Sequence, residues 1–504
     1  MRRLLLALCL ALGLPLVTNG ADSPLDRVQL DTATLVGQAG FFRVGKDTQG
    51  RWWFVTPEDR PFFYRGVTSI NEAGTPGGRR AKPGVYTDAV RANYTSKQQF
   101  AEAQIQRLRK WGFNGLGAWC EADLFDLNVD GAVMPYTEIL EFGYVGPQIV
   151  ARGIKLPDVF DPAWERAIDA WAKKLCTPRR DSPYLLGYFT DNELGWAQPT
   201  EEDIAAQSVP EAAKNLPPKM FLLQQCLTAP GTSGSYKAAW EFVSKRYDND
   251  LPALSKAWGV SISDGDSIRK LNPNFTRVVE GDGMSLRWPV APAKPAGGNG
   301  LPEAGPKLIT TAKYFQDQDA FSLLFARRYF QLSAEAIRKH DPNHLILGCR
   351  FGGPPGAIIL AGMKKQWVDV VSANNYRPNM YERMNVYYEG TGLPVLNGEF
   401  SYHSGLFQIK GHTAEGMAKL GAQSLEELFS HPAVIGYTWY RWDAADPAPK
   451  NLDGSPISCG LVNERDEPVK VHVETLTSVN AKADAIATRR KSARAVQVPN
   501  QNPD

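Results

Sequence analysis

Two glutamates carry the chemical reading of this sequence. Glu193 stands near the end of SPYLLGYFTDNELGW (182–196), where a short apolar stretch breaks off into Asp191, Asn192 and Glu193, and Glu399 stands near the end of LPVLNGEF (393–400) in the same way. A strong acid at the exit of a buried strand needs a reason, because a carboxylate loses hydration there. Two carboxyl groups about 5 to 5.5 Å apart, one protonated and one ionised, hydrolyse a glycoside with retention. In that chemistry Glu193 is the general acid/base and Glu399 the nucleophile. The acid must hold a proton near neutral pH, which partial desolvation and a neighbouring carboxylate both favour; Phe189 and Trp196 are candidate apolar neighbours. The nucleophile needs donors beside it, and Arg350 and Tyr376, each at the end of an apolar run, are placed to supply them. Asn192 is a candidate donor to a sugar 2-hydroxyl, a contact that strengthens at the transition state. An Asn-Glu pair alone reads more readily as a helix cap with a first-turn acid. The second glutamate, three strands later, with Asn-Tyr before it and Trp-rich text after it, reverses that preference.

Further candidates sit at other strand exits. Trp439 and Trp442 are expected to offer at least one face to a sugar, with a core role for whichever points at the helices; Trp119 divides evenly between the two roles. Asn71, Asn375 and His403 follow strands one, six and seven, where they bind hydroxyls or simply cap turns. Asp191 reads as a buried acceptor rather than a third catalytic acid, and Asp443 and Asp446 as solvated loop residues.

The elements that must position these groups follow a βα rhythm. RWWFV (51–55), a Pro-Glu-Asp turn and a second apolar run ending at Asn71 give a hairpin and a first barrel strand. Thr95 with Gln98 reads as a capping box, and Ala101, Ile105, Leu108 and Trp111 share one helical face. Strands follow in GFNGLGAW (112–119) and within AVMPYTEILEF (132–142). Asp161 and Pro162 then open a helix with Trp164, Ile168, Trp171 and Leu175 on its apolar face. After Glu193 comes a long insertion, 197–314, with helices near 236–248 and 251–258 and a Pro/Gly-rich run from Pro289 to Pro306. A helix from about Asp317 to His340 leads to four more apolar runs, at 344–351, 368–376, 393–400 and 433–443. Eight strands alternating with helices predict an α/β fold, a (β/α)8 TIM barrel with a long insertion after strand four, whose site lies at the C-terminal strand ends. A doubly wound sheet is disfavoured because no Gly-rich phosphate loop follows the first strand.

The boundaries are 1–20 as a signal peptide, 21–59 as an extension leading into the barrel, 60–487 as the catalytic barrel and 488–504 as a polar, disordered tail. Arg2 and Arg3 precede the apolar run Leu4 to Val17, and small or polar residues end it. That is a secretory leader, so the chain is expected to be secreted or periplasmic. No later stretch approaches the roughly 20 apolar residues of a membrane span. With 56 Lys plus Arg against 54 Asp plus Glu, the net charge of +2 gives no reason to invoke nucleic acid or a membrane, and a neutral partner is expected. Six cysteines, one of them Cys9 inside the leader, leave an odd, scattered set that is no disulfide framework. Neither they nor the six dispersed histidines show zinc-site spacing, so no metal and no cofactor is expected.

With the two strand-end glutamates in view, the chain resembles clan A glycoside hydrolases, whose acid/base and nucleophile end strands four and seven. Within the clan it is similar to family-50 β-agarases through LLGYFTDNELGW, RYFQLSAEAIRKHDPNHLILGCRF, VDVVSANNY and PVLNGEF. FVSKRYDNDLPALSKAWG and GLVNERDEPV (460–469) also resemble family-42 β-galactosidases. The resemblance implies a galactan-type polysaccharide or oligosaccharide substrate, Glu193 as acid/base, Asn192 as sugar-binding amide, Glu399 as nucleophile and Tyr376 beside it. Family-50 agarases also carry a sizeable N-terminal carbohydrate-binding-like domain, where this sequence has about 40 residues ahead of the first strand. Two alternatives stand: a β-glycosidase for mannan or glucan, and a secreted carbohydrate-binding protein without turnover.

Overall fold

A computed structural model describes residues 23–74, 84–151, 154–196, 219–270, 275–281, 284–289, 311–402, 413–444 and 459–489. The leader 1–20, His403, Asp446, residues 290–306 and the tail beyond Arg489 lie outside the described residues. Eight strands close a barrel: β1 (Tyr64–Val67), β2 (Gly115–Leu116), β3 (Tyr136–Ile139), β4 (Leu185–Asn192), β5 (Leu345–Phe351), β6 (Val371–Asn374), β7 (Val395–Phe400) and β8 (Val434–Trp439). Each pairs in parallel with its sequence neighbours, and β8 closes on β1 with Gly436 opposite Tyr64 and Trp439 opposite Val67. This is the (β/α)8 barrel expected from the sequence. Every strand falls inside its expected run, because a parallel strand covered on both faces must be almost continuously apolar; β5 reads LILGCRF and is buried throughout. Inside the barrel the Tyr64 hydroxyl donates to the Leu116 carbonyl at 2.6 Å. Its ring lies so close to Gly115 that a Cβ there would come within 2.1 Å of it.

The helices carry local signals for their starts. Asp161 caps Pro162–Cys176, its Oδ1 accepting from the Ala163 N–H at 2.8 Å, with Pro162 in the first turn. For Lys97–Lys110 the cap is Ser96, one residue later than expected: its Oγ accepts from the Gln99 N–H at 3.1 Å, while the Thr95 N–H donates to the Gln99 side chain at 2.7 Å. Only half of a capping box forms: Ser96 holds the third helical N–H, and the return contact from the Gln99 side chain goes to the Thr95 N–H instead of that of Ser96.

The N-terminal strands Arg43–Lys46, Trp52–Val55 and Pro61–Phe62 form a small antiparallel sheet. It sits at the end of the barrel where β8 begins. The buried Arg51 donates to the carbonyls of Phe429 (3.0 Å) and Val434 (3.1 Å), and the Trp52 N–H donates to the Pro432 carbonyl at 2.8 Å. The opposite, C-terminal face is left for chemistry.

In the insertion, helices Gly234–Arg246 and Leu251–Trp258 lie where periodicity puts them. An antiparallel pair, Phe275–Gly281 with Met284–Pro289, was not legible in the sequence. The insertion is tied to the long helix Ala312–His340 by one buried acid. Asp317 accepts from Arg246, from the Tyr247 hydroxyl at 2.6 Å and from the Trp258 indole at 2.8 Å. Among the described residues Cys120, Cys176, Cys226, Cys349 and Cys459 are free thiols, and no helix is long and apolar enough to cross a membrane.

Candidate active site

Glu399, on β7, is 4% exposed. The fully buried Arg350, near the end of β5, donates through Nη2 to Glu399 Oε1 at 2.7 Å and to the Gly398 carbonyl at 2.6 Å. The Tyr376 hydroxyl, two residues past β6, donates to the other carboxylate oxygen, Oε2. Burial pushes the Glu399 carboxyl up to about 7, the Arg350 charge opposes this, the Glu193 charge adds to it and the Tyr376 hydrogen bond opposes it. Arg350 is itself fixed between two rings, its guanidinium carbon 4.6 Å from the Trp119 centroid and 5.2 Å from that of Phe189. The Trp119 indole N–H donates to Glu141 Oε1 at 3.2 Å. The two donors expected beside the nucleophile are thus in contact with it.

Glu193 is held differently. It leaves β4 in the left-handed region, with φ of 50°, and its N–H donates to the Arg350 carbonyl at 2.8 Å. Its carboxylate is exposed and accepts from Asn374 Nδ2 at 3.0 Å, and the same amide donates to Asn192 Oδ1 at 2.9 Å. Gly352 leaves room for it, since a Cβ there would come within 3.0 Å of the Glu193 side chain. The expected apolar surroundings of the acid are a correction. Trp196 turns away to pack on Tyr329 and Phe330 of the long helix, with centroids 5.1 and 5.8 Å apart, and Phe189 lies under Arg350. The desolvated carboxylate is Glu399, which is 4% exposed.

Asp191 is fully buried, accepts from the Gly143 N–H at 2.7 Å and the Tyr329 hydroxyl at 2.5 Å, and is pushed by burial to about 8. It ties the end of β4 to the 3-10 turn Phe142–Tyr144 that follows β3.

Both glutamates line one pocket of about 280 Å³, close to the lower end of small-ligand sites at roughly 300 Å³. The structure brings Trp119, Asn192, Asn375 and Tyr376 to its wall together with Glu193 and Glu399. Arg350 lies behind Glu399. Asn375 spends its amide protons internally, on the Arg377 carbonyl at 3.1 Å and Met380 Sδ at 2.9 Å.

Three expected residues are elsewhere. Asn71 Nδ2 donates to the Ser69 carbonyl at 3.2 Å and so closes a turn. Trp439 is fully buried against Phe400 and Tyr402, its indole donating to the Cys459 carbonyl at 2.8 Å. Trp442 is fully buried on Trp111 and donates to the Tyr86 hydroxyl at 3.1 Å. With no exposed face, neither tryptophan meets a sugar. The reading of Asp443 as a solvated loop residue is likewise corrected, for it is 3% exposed.

Sequence reasoning missed Gly352, Asn374, Arg377 and Tyr440 on the wall. Asn374 precedes the asparagine that was singled out, and Tyr440 stands between the two tryptophans, meeting Tyr376 edge-to-face at 6.2 Å. A reading shifted by one residue at each strand end would have found both.

A closed eight-stranded parallel barrel with glutamates leaving β4 and β7 is the arrangement of the clan A glycoside hydrolases that the sequence resembles. The similarity extends to individual proteins. Beta-agarase A and Beta-agarase B of Vibrio sp. (strain JT0107) are each 21% identical to this chain, over 506 and 517 residues covering 87% and 88% of it. The chain spans about half the length of these curated relatives, 45% and 48%. Among solved structures, an agarase, AgWH50C, superposes with a TM-score of 0.66 at 18% identity, covering 90% of this chain and 67% of that one. BpGH50 superposes at 0.59 and 16% identity, covering 91% of this chain and 85% of that one. These likenesses show the fold. No family model matches the chain.

Proposed function

We propose that this chain is a retaining β-glycoside hydrolase for a galactan-type polysaccharide or oligosaccharide, agarose before others. Glu399 attacks the anomeric carbon while Glu193 protonates the departing glycosidic oxygen; a covalent glycosyl-enzyme forms, and Glu193 then takes a proton from the water that releases it. Arg350 and Tyr376 hold Glu399 on the path of attack and stabilise its ionised form. Asn192 and Asn374 fix the acid and leave an amide near the sugar 2-hydroxyl. One observation carries this reading: two glutamates face one pocket, one buried with a cation and a phenol on its oxygens, the other exposed where a proton can be exchanged with water. Similarity to the two Vibrio agarases supports the galactan choice, and the Arg2-Arg3 leader supports action outside the cytoplasm.

The test is product chromatography after incubation with agarose, galactan, mannan and β-glucan, with Glu193→Ala and Glu399→Ala alongside. Oligosaccharides from agarose or galactan that vanish in both variants are expected. Products from mannan or glucan alone would keep the mechanism and replace the substrate. No products from any polysaccharide would sink the proposal in favour of a sugar-binding role.

A further inference from the structure

Tyr144 is 61% exposed, the most exposed of the large hydrophobic side chains among the described residues. It ends the 3-10 turn that follows β3, and the backbone of that turn is fixed. The Gly143 N–H is bonded to buried Asp191 at 2.7 Å, the Gly143 carbonyl accepts from Gln148 Nε2 at 2.7 Å, and the Tyr144 N–H donates to the Glu141 carbonyl at 3.0 Å. Gly143 packs so tightly that a Cβ on it would lie 2.7 Å from the Leu194 side chain and 2.8 Å from Asp191 Oδ1. Those two residues stand two before and one after Glu193 in sequence, so the turn that carries Tyr144 packs on the segment that carries the acid. Partial burial, and after it the charges of Asp191, Glu141 and Glu193, raise its hydroxyl above the ordinary tyrosine range.

We infer that Tyr144 is the aromatic platform for the leaving-group sugar, immediately beyond the bond being cut. This rests on the hydrolase reading given above and adds a subsite to it. In a retaining hydrolase the proton donor stands on the side of the departing sugar. The ring attacked by Glu399 has its own walls, Trp119, Tyr376 and Tyr440. Tyr144 lies outside that pocket, and its turn packs on the segment of Glu193, the side on which the departing ring leaves. A flat, exposed phenol on a rigid turn suits the apolar face of a sugar ring, and its low conformational freedom makes stacking efficient. The ligand class is a neutral sugar ring at the leaving-group end of the chain, a 3,6-anhydrogalactose in the neoagaro-oligosaccharides.

The experiment compares two substrates with the same glycone: neoagarotetraose, whose one internal β-1,4 bond has a leaving-group sugar, and neoagarobiosyl β-fluoride, which has only fluoride. Tyr144→Ala should lose roughly five- to tenfold more in kcat/KM on the tetraose than on the fluoride, the worth of one stacking contact. Tyr144→Trp should restore most of the difference. An equal loss on both substrates, or no loss on either, would overturn the subsite while leaving the hydrolase reading intact. A wild-type protein that cleaves neither substrate overturns the subsite and the galactan choice, and the hydrolase reading falls only if mannan and β-glucan are left intact as well.

Discussion

At the end of β4, Glu193 is exposed, leaves the strand with φ of 50° and is held by its own N–H and one amide; at the end of β7, Glu399 keeps strand geometry, is 4% exposed and has a guanidinium and a phenol on its oxygens. The contrast follows from what each group must do. An acid/base changes protonation twice in a turnover and needs a route to water, whereas a nucleophile needs a fixed direction and a carboxylate basic enough to attack. Backbone strain accumulates on the first side. Ser69, Trp119, Glu141 and Glu193, after β1, β2, β3 and β4, all have positive φ, at 64°, 62°, 54° and 50°. Non-glycine residues adopt that conformation at a cost of about 1–3 kcal/mol each, and such strain gathers at functional sites. In the other half Asn379, beyond β6, has φ of 59°, and the carboxylate of Glu399 is held by the charge of Arg350.

The sharpest way to break the contrast is to remove each carboxylate in turn. Glu399→Ala should lose at least roughly 10⁴-fold in kcat on every substrate. Glu193→Ala should lose about 10²- to 10⁴-fold in kcat/KM, which reports formation of the glycosyl-enzyme, on a sugar leaving group and much less on a fluoride, which needs little protonation. Equal losses of Glu193→Ala on both substrates would remove it as the acid.

Arg350→Leu comes next. It strips the cation from a buried carboxylate and should lower kcat/KM by roughly 10²-fold, measured at pH 8 where Glu399 has the best chance of remaining ionised.

The pH dependence follows from the same geometry. Glu399 must be ionised to attack, and its carboxyl is raised to about 7, so kcat/KM should fall as pH drops through about 7. Tyr376→Phe removes a donor to the carboxylate and should shift that limb to higher pH. A limb that stays in place would show that Tyr376 does not tune Glu399. For stability the sign is the reverse of a salt-bridged acid's. A folded value above the unfolded one favours the protonated native state, so ionisation lowers stability as pH rises from about 4.5 through about 7. The melting temperature of Glu399→Gln relative to wild type should therefore be higher at pH 8 than at pH 5.

Smaller effects test the supports. Asn374→Ala removes the amide that joins Asn192 to Glu193 and should cost roughly tenfold in kcat, the value of one or two hydrogen bonds. Glu141→Gln weakens the acceptor of the Trp119 indole, and a roughly two- to threefold change in kcat/KM is expected, with the ring still packed on Arg350. A large effect there would move Glu141 from the rim into the chemistry.

Much of this arrangement is legible in the chain. HLILGCRF and LPVLNGEF announce buried strands because a parallel barrel hides both faces of each strand. The two glutamates stand out because they interrupt such runs, and Arg350 and Tyr376 because each ends one. The failures gather where strand pairing loses its regularity. The β6–β7 register shifts between Ala373 and Asn374, and the β7–β8 register shifts between Asn397 and Phe400. Beyond those points a period of two no longer says which residue faces the pocket. Hence Asn374 was passed over, Asn375 spends its amide protons inside the protein, and Tyr440 reached the wall while Trp439 and Trp442 went to the core.

The sequence alone determined the eight strands, their order and the two acids at the ends of β4 and β7, since all of these are written in local polarity and periodicity. Only the tertiary structure decided which acid is buried, which rings hold Arg350, and that the turn carrying Tyr144 packs on the segment around Glu193. Those depend on contacts between strand ends far apart in the chain, and burial belongs to the assembled barrel rather than to any one segment of it.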